Sequence, residues 1–214
     1  MHHTSIKGEE NTKMDIIKGR LIMEQIRAFI AIELPEKLRK QLSHLQNVLK
    51  KDTGISAKWV DPYSIHLTLK FLGNVPSSQI EDIKKSMEQA TLGIAPFHLE
   101  MKNLGVFPGL TRVQVIWVGL SGDTDKLSQL QKRVEENMSH LGFAPEGRAF
   151  TAHLTLARVR ERISAEEQQK LGQLIASGVL EESHRFEVTS INLMRSQLTP
   201  QGAIYSKLHS AGLG

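Results

Sequence analysis

His66-Leu67-Thr68-Leu69 and His153-Leu154-Thr155-Leu156 are the same tetrapeptide, placed once in each half of a 214-residue chain. Along a β-strand successive side chains point to opposite faces. Each copy therefore offers an imidazole and a hydroxyl on one face and two leucines on the other. The leucines anchor the strand in a core. Two such strands facing each other would enclose a pocket of two histidines and two threonines.

Both copies lie in strand-like surroundings. Ile65, Leu67, Leu69 and Phe71 mark a core face and His66, Thr68 and Lys70 the other, until Gly73-Asn74 breaks the run. The second copy belongs to a strand over about residues 150–158. Upstream, Arg27-Ala28-Phe29-Ile30-Ala31-Ile32 is apolar and rich in β-formers, which predicts a buried strand ending before Leu34-Pro35. Leu38, Leu42, Leu45 and Leu49 then recur at helical spacing to about Lys51. Trp59-Val60 is a short extended piece. After the first motif strand, Ile80, Ile83, Met87 and Ala90 stripe a second helix. Two strands at 97–106 and 113–120 flank Phe107-Pro108-Gly109, a turn, and predict an antiparallel hairpin.

Asp123 is an N-cap candidate for a third helix carrying Leu127, Leu130, Val134, Met138 and Leu141 inward. A fourth starts at Ser164 with Leu171, Leu174 and Ile175, and strands at about 184–196 and 203–209 close the chain. A strand, a helix, a motif strand and a helix thus recur in both halves, which suggests an internal duplication. Repeated hairpins and short turns argue for an α+β fold with mostly antiparallel sheets. Residues 1–22 are polar and lack an apolar period, so they are expected to be a flexible extension or an expression remnant ahead of one domain over 23–214.

Composition removes whole classes of chemistry. There is no cysteine, so disulfides, thiolate metal sites and cysteine nucleophiles are excluded. At 40% hydrophobic and 23% charged residues, the chain is ordinary for a globular protein. No secretory signal core and no run of about 18 apolar residues is present, so a cytoplasmic location without a membrane span is expected. A net charge of +4 mildly favours anionic ligands. No glycine-rich phosphate loop appears.

Histidine has the side-chain pKa nearest neutrality, so it both takes and gives protons at working pH. Two of them across a pocket can divide the work, one neutral as base and one protonated as acid. Threonine hydroxyls two residues away can donate to phosphate oxygens. This equipment opens a strained cyclic phosphodiester without a metal. A metal site is the competing reading of paired histidines, but no Asp, Glu or Cys shares the histidine faces to complete a coordination sphere. The remaining histidines, His44, His98, His140, His184 and His209, sit in unrelated contexts and suit surfaces or local contacts.

The two copies match the paired His-x-Thr-x motifs of the two-histidine (2H) phosphoesterase superfamily. Within it the chain resembles the bacterial RNA 2′,3′-cyclic phosphodiesterases, also called 2′-5′ RNA ligase-like proteins. The resemblance runs from Arg27 to about Leu208. It includes Arg27 to Pro35, His66 to Gly73, Gly105-Val106-Phe107-Pro108, and Phe150 to Arg158. It implies a bilobal α+β fold with pseudo-twofold symmetry, both motif strands lining a central cleft. It also implies hydrolysis of an RNA 2′,3′-cyclic phosphate to a 2′-phosphomonoester, with no metal or other cofactor. By the resemblance His66 is the proton donor, His153 the proton acceptor, and Thr68 and Thr155 bind phosphate.

Arg158 matches an arginine that contacts phosphate in relatives. Period-2 counting puts it on the Leu154/Leu156 face, so that role requires the strand to end or twist before it. Lys70, on the His66 face, is a second cationic candidate. Relatives often carry proline before the second histidine, where this chain has Ala152. The expected partners are RNA 3′ ends or nucleotides bearing a 2′,3′-cyclic phosphate, bound by a monomer. Two rival readings remain at this point. The same acid–base pair could run 2′-5′ ligation in reverse, and a non-catalytic nucleotide-binding module could use the same pocket. Loss of one histidine would mark the latter, and both are present.

Overall fold

The computed structural model describes residues 15–17, 20–22, 24–159, 164–178, 180, 185–200 and 202–214. Within the segment expected to be a flexible extension, Asp15–Ile17 (β1) pairs with Arg20–Ile22 (β2) as an antiparallel ribbon, and its remaining residues lie outside the described ones. The apolar run becomes Gln25–Glu33 (β3), buried on both faces from Ala28 to Ile32 as a central strand should be. Pro35 precedes Glu36–Thr53 (α1), which ends at Gly54 with φ 59, a left-handed cap that glycine adopts without a Cβ clash. Ala57–Trp59 (β4) leads through the turn Pro62–Ser64 to the first motif strand, His66–Pro76 (β5). That strand continues through Gly73 and does not stop there as the sequence suggests.

Ile80–Thr91 (α2), Phe97–Gly109 (β6) and Arg112–Gly122 (β7) follow. The hairpin turn is tighter than expected, Leu110-Thr111 between Gly109 and Arg112. Asp123 precedes Thr124–His140 (α3), but its carboxylate accepts the backbone N–H of His98 at 2.9 Å and does not cap the helix. The second motif strand is His153–Val159 (β8), followed by Ala165–Ser177 (α4), whose Ser164 and Glu167 form a capping box. Leu174, expected inward, is exposed on α4.

The run expected as one strand at 184–196 is two, with His184 itself outside the described residues. Arg185–Val188 (β9) and Ser190–Thr199 (β10) join different sheets, and the chain crosses between them at Thr189. Gly202–Gly212 (β11) closes the fold. One sheet has the order β11-β10-β3-β5 and the other β4-β8-β7-β6-β9, with every pairing antiparallel.

Helices exchange between the sheets. α1 leaves β3 yet packs behind the other sheet, where its buried Gln46 donates to the carbonyls of Val60 at 2.7 Å and Leu156 at 3.0 Å. α3 leaves β7 yet packs on β5 and α2, and Arg133 donates to the carbonyls of Leu92 and Gln89 at the end of α2. One large hydrophobic core joins both sheets and all four helices, and a smaller cluster of Phe29, Ala31 and Met194 lies apart from it. β5 and β8 face each other across the cleft between the sheets.

Gln46 occupies the apolar stripe of α1 at 2% exposure; its amide reaches the Val60 carbonyl and gives the Leu156 carbonyl a second donor beside the N–H of Val60. Gln46→Leu should destabilise the protein by about 1–3 kcal/mol in urea unfolding, the penalty of leaving the Val60 carbonyl without this donor and the Leu156 carbonyl with the Val60 N–H alone.

Candidate active site

Both motif strands carry the same irregularity. Opposite β3, Thr68 faces Ala31 and Lys70 faces Ile30, so Leu69 is the extra residue of a β-bulge. Opposite β7, Thr155 faces Trp117 and Ala157 faces Ile116, so Leu156 is the extra residue. A bulge shifts the side-chain alternation by one residue, and everything after it changes face.

Two sequence readings are settled by this. Arg158 swings onto the His153/Thr155 face and lines the cleft with them. Lys70 and Phe71 trade places relative to the period-2 count. Lys70 is turned into the core at 5% exposure, where its ammonium meets Glu135 at 2.5 Å and the carbonyl of Ala144 at 2.9 Å. It is therefore corrected from a cleft cation to a buried structural ion pair. Phe71, expected in the core, is 66% exposed and lines the cleft. It stands five residues after His66, as Arg158 stands after His153.

The cleft has a volume of about 480 Å³ and brings together His66, Thr68, His153, Thr155 and Arg158. Each imidazole is oriented from behind. His66 Nδ1 lies 2.8 Å from the carbonyl of Ser64, and His153 Nδ1 lies 2.7 Å from that of Thr151. A carbonyl only accepts, so Nδ1 carries a proton in both rings and Nε2 is left for a bound molecule. Neither threonine hydroxyl has a protein partner among the described residues, so both are free to donate.

Ring contacts hold the imidazoles differently. His66 stacks on Phe29 at 4.6 Å and meets the edge of Tyr205 at 5.2 Å. His153 meets Phe107 edge-on at 5.1 Å, and Trp117 lies behind that pair at 6.2 Å from the imidazole. Trp117 lies so close over its cross-strand partner Gly105 that a Cβ there would approach the indole to 2.3 Å. Burial lowers the His66 pKa, opposed by its bond to Ser64 and by the charge of Glu33 across the ladder. Glu33 is itself held by Asn192 at 3.0 Å and Lys207 at 2.5 Å.

Sequence reasoning missed Phe29, Tyr205 and Arg27, all of which line the cleft. Phe29 read as core because its neighbours are core; an aromatic at the alternate parity to Ala28 and Ile30 was the available signal. Arg27 and Arg158 make no ion pair among the described residues, where no group of three His, Asp or Glu side chains could hold a metal ion. No described helix is long and apolar enough to cross a membrane.

Residues 32–117 and 118–205, each holding one motif copy, match the family described as LigT like phosphoesterase, and the chain belongs to that family within the 2H phosphoesterase superfamily. The RNA 2′,3′-cyclic phosphodiesterase of Methanothermobacter thermautotrophicus is 33% identical over 184 residues, spanning 86% of this chain and 97% of that protein. The protein of the same name from Thermotoga maritima is 34% identical over 185 residues, spanning 86% and 94%. The crystal structure of TT0787 from Thermus thermophilus aligns with a TM-score of 0.72 at 25% identity, over 88% of this chain and 98% of that one.

Because burial lowers the His66 pKa, the folded protein binds its proton less readily than the unfolded chain does. The stability this contributes is complete above the unfolded value near 6.5 and is lost as pH falls below it. His66→Gln should flatten the loss of urea stability between about pH 7 and pH 5. An unchanged pH slope would contradict the assignment.

Proposed function

We propose that this protein is a hydrolase of RNA 2′,3′-cyclic phosphate ends, producing a 2′-phosphomonoester. The observation that carries the reading is the paired geometry: two imidazoles, each pinned through Nδ1 to the carbonyl two residues earlier, share a cleft with two free threonine hydroxyls and Arg158. The names of the relatives, at about one third identity over most of both chains, support the substrate class.

Water attacks phosphorus opposite the bond to the ribose 3′-oxygen. Nε2 of His153 takes the water proton, the P–O3′ bond breaks, and O3′ receives a proton from Nε2 of His66. Thr68, Thr155 and Arg158 bind the non-bridging oxygens and neutralise charge that builds on them. No step needs a metal.

The division between the histidines rests on the asymmetry of the cleft. The departing oxygen belongs to the nucleoside, so the acid must stand where the nucleoside lies. The His66 side has the exposed ring of Phe71, with Phe29 and Tyr205 beside it, a surface for a base; the pseudo-equivalent position beside His153 is the charged Arg158. Burial alone would suit His66 to the base role, since it favours the neutral ring. A phosphodiester anion within reach reverses that preference by stabilising the imidazolium. The chain is proposed to act as a cytoplasmic monomer.

An oligonucleotide ending in a 2′,3′-cyclic phosphate should be opened in the presence of EDTA, with a bell-shaped pH profile. His66→Ala and His153→Ala should each slow it by about 10²–10⁴. A cyclic substrate with sulfur in place of the 3′-oxygen, whose leaving group needs no proton, should restore the first variant and not the second. Rescue of His153→Ala instead would reverse the two roles, and dependence on added metal would overturn the mechanism.

A further inference from the structure

The cleft does not end at Arg158. Val60, Ser64, Arg158, Ala203 and Tyr205 border both it and a second cavity of about 580 Å³. One wall of that cavity is β4, with Lys58 and Trp59; the other is the β10–β11 hairpin, with Ile204 57% exposed.

Lys58 stands directly opposite Arg158 in the β4–β8 ladder, so the two side chains leave the sheet on one face. Like charges placed directly opposite destabilise a sheet. Neither cation has a carboxylate partner among the described residues. The carboxylate that does line the cavity, Asp61, accepts the backbone N–H of Tyr63 through Oδ1 at 3.0 Å. The fold gains nothing from Lys58 facing Arg158, whereas two successive anionic groups running from one cavity into the next would satisfy both.

We propose that the second cavity binds the penultimate nucleotide of the RNA, an inference that rests on the proposed hydrolysis of cyclic phosphate ends. Arg158 engages the terminal cyclic phosphate. Lys58 engages the phosphodiester that links the last two nucleotides, and the penultimate base lies against the exposed side chain of Ile204. Opposed strand residues are about 5 Å apart at Cα, and flexible cationic side chains diverge from there to neighbouring phosphates. The enzyme thereby selects oligonucleotide ends over cyclic mononucleotides.

The test compares UpU ending in a 2′,3′-cyclic phosphate with uridine 2′,3′-cyclic phosphate. Wild-type kcat/KM should be about tenfold higher for the dinucleotide. Lys58→Ala should remove most of that advantage through KM, change the mononucleotide less than about twofold, and leave Tm undiminished because a like-charge pair is relieved. Lys58→Arg should restore the preference. Equal wild-type rates on both substrates, or equal losses on both in Lys58→Ala, would overturn the proposal. If neither substrate turns over, the hydrolase reading falls separately. The subsite is then decided by binding: UpU 2′-phosphate must bind wild type more tightly than uridine 2′-phosphate does, and Lys58→Ala must abolish the difference.

Discussion

The site depends on a pair of backbone irregularities. A regular strand that buried Leu67 and Leu69 would carry Phe71 into the core, and one that buried Leu154 and Leu156 would do the same with Arg158. A bulge immediately after each threonine prevents this and gives the cleft a third contribution from each motif strand. Bulges leave ladder groups unpaired, so each must be supported from behind. At Leu156 the support is Gln46 together with the N–H of Val60, both donating to the same carbonyl. Beside Leu69, the inward-turned Lys70 fixes the strand through its own side chain, tied to Glu135 and to the carbonyl of Ala144. A neutral amide thus bonds the bulged backbone in one half, whereas in the other a buried ion pair anchors the residue that follows the bulge.

That difference continues into the cleft. Two locally identical tetrapeptides acquire distinct surroundings because the residues five positions beyond each histidine differ, and because His66 lies flat on Phe29 while His153 meets Phe107 edge-on. A symmetric frame holding asymmetric walls is what a reaction with a nucleoside on one side of phosphorus and water on the other requires.

Much of this is legible in the sequence alone. Period-2 alternation located both motif strands, helical spacing located four helices, and hairpin chemistry indicated antiparallel sheets. The departures at the motif strands share a cause. Alternation assumes an unbroken pleat, so Lys70 and Phe71 were assigned to the wrong faces and Arg158 could be placed only by resemblance. The crossing at Thr189 was invisible for a related reason: β9 and β10 are both extended, and nothing local in Arg185 to Ser196 reveals that they belong to different sheets. Gln46 was passed over because it sits among leucines, yet a polar residue on a buried stripe is the one whose hydrogen bonds must be found elsewhere in the fold.

The exchange of α1 and α3 bears on how the chain can be divided. A protein with two similar halves invites the idea that either could be cut free or inherited alone. Here the sheet containing the first motif is backed by a helix that follows β7, and the sheet containing the second is backed by a helix that follows β3. Severing the chain between α2 and β6 would take α3, β10 and β11 from the first sheet and α1 and β4 from the second, and expose apolar surface on both. If the halves arose by duplication, the single-copy ancestor must have lent its covering helix to a second copy of itself, and today's cleft is the seam of that former dimer.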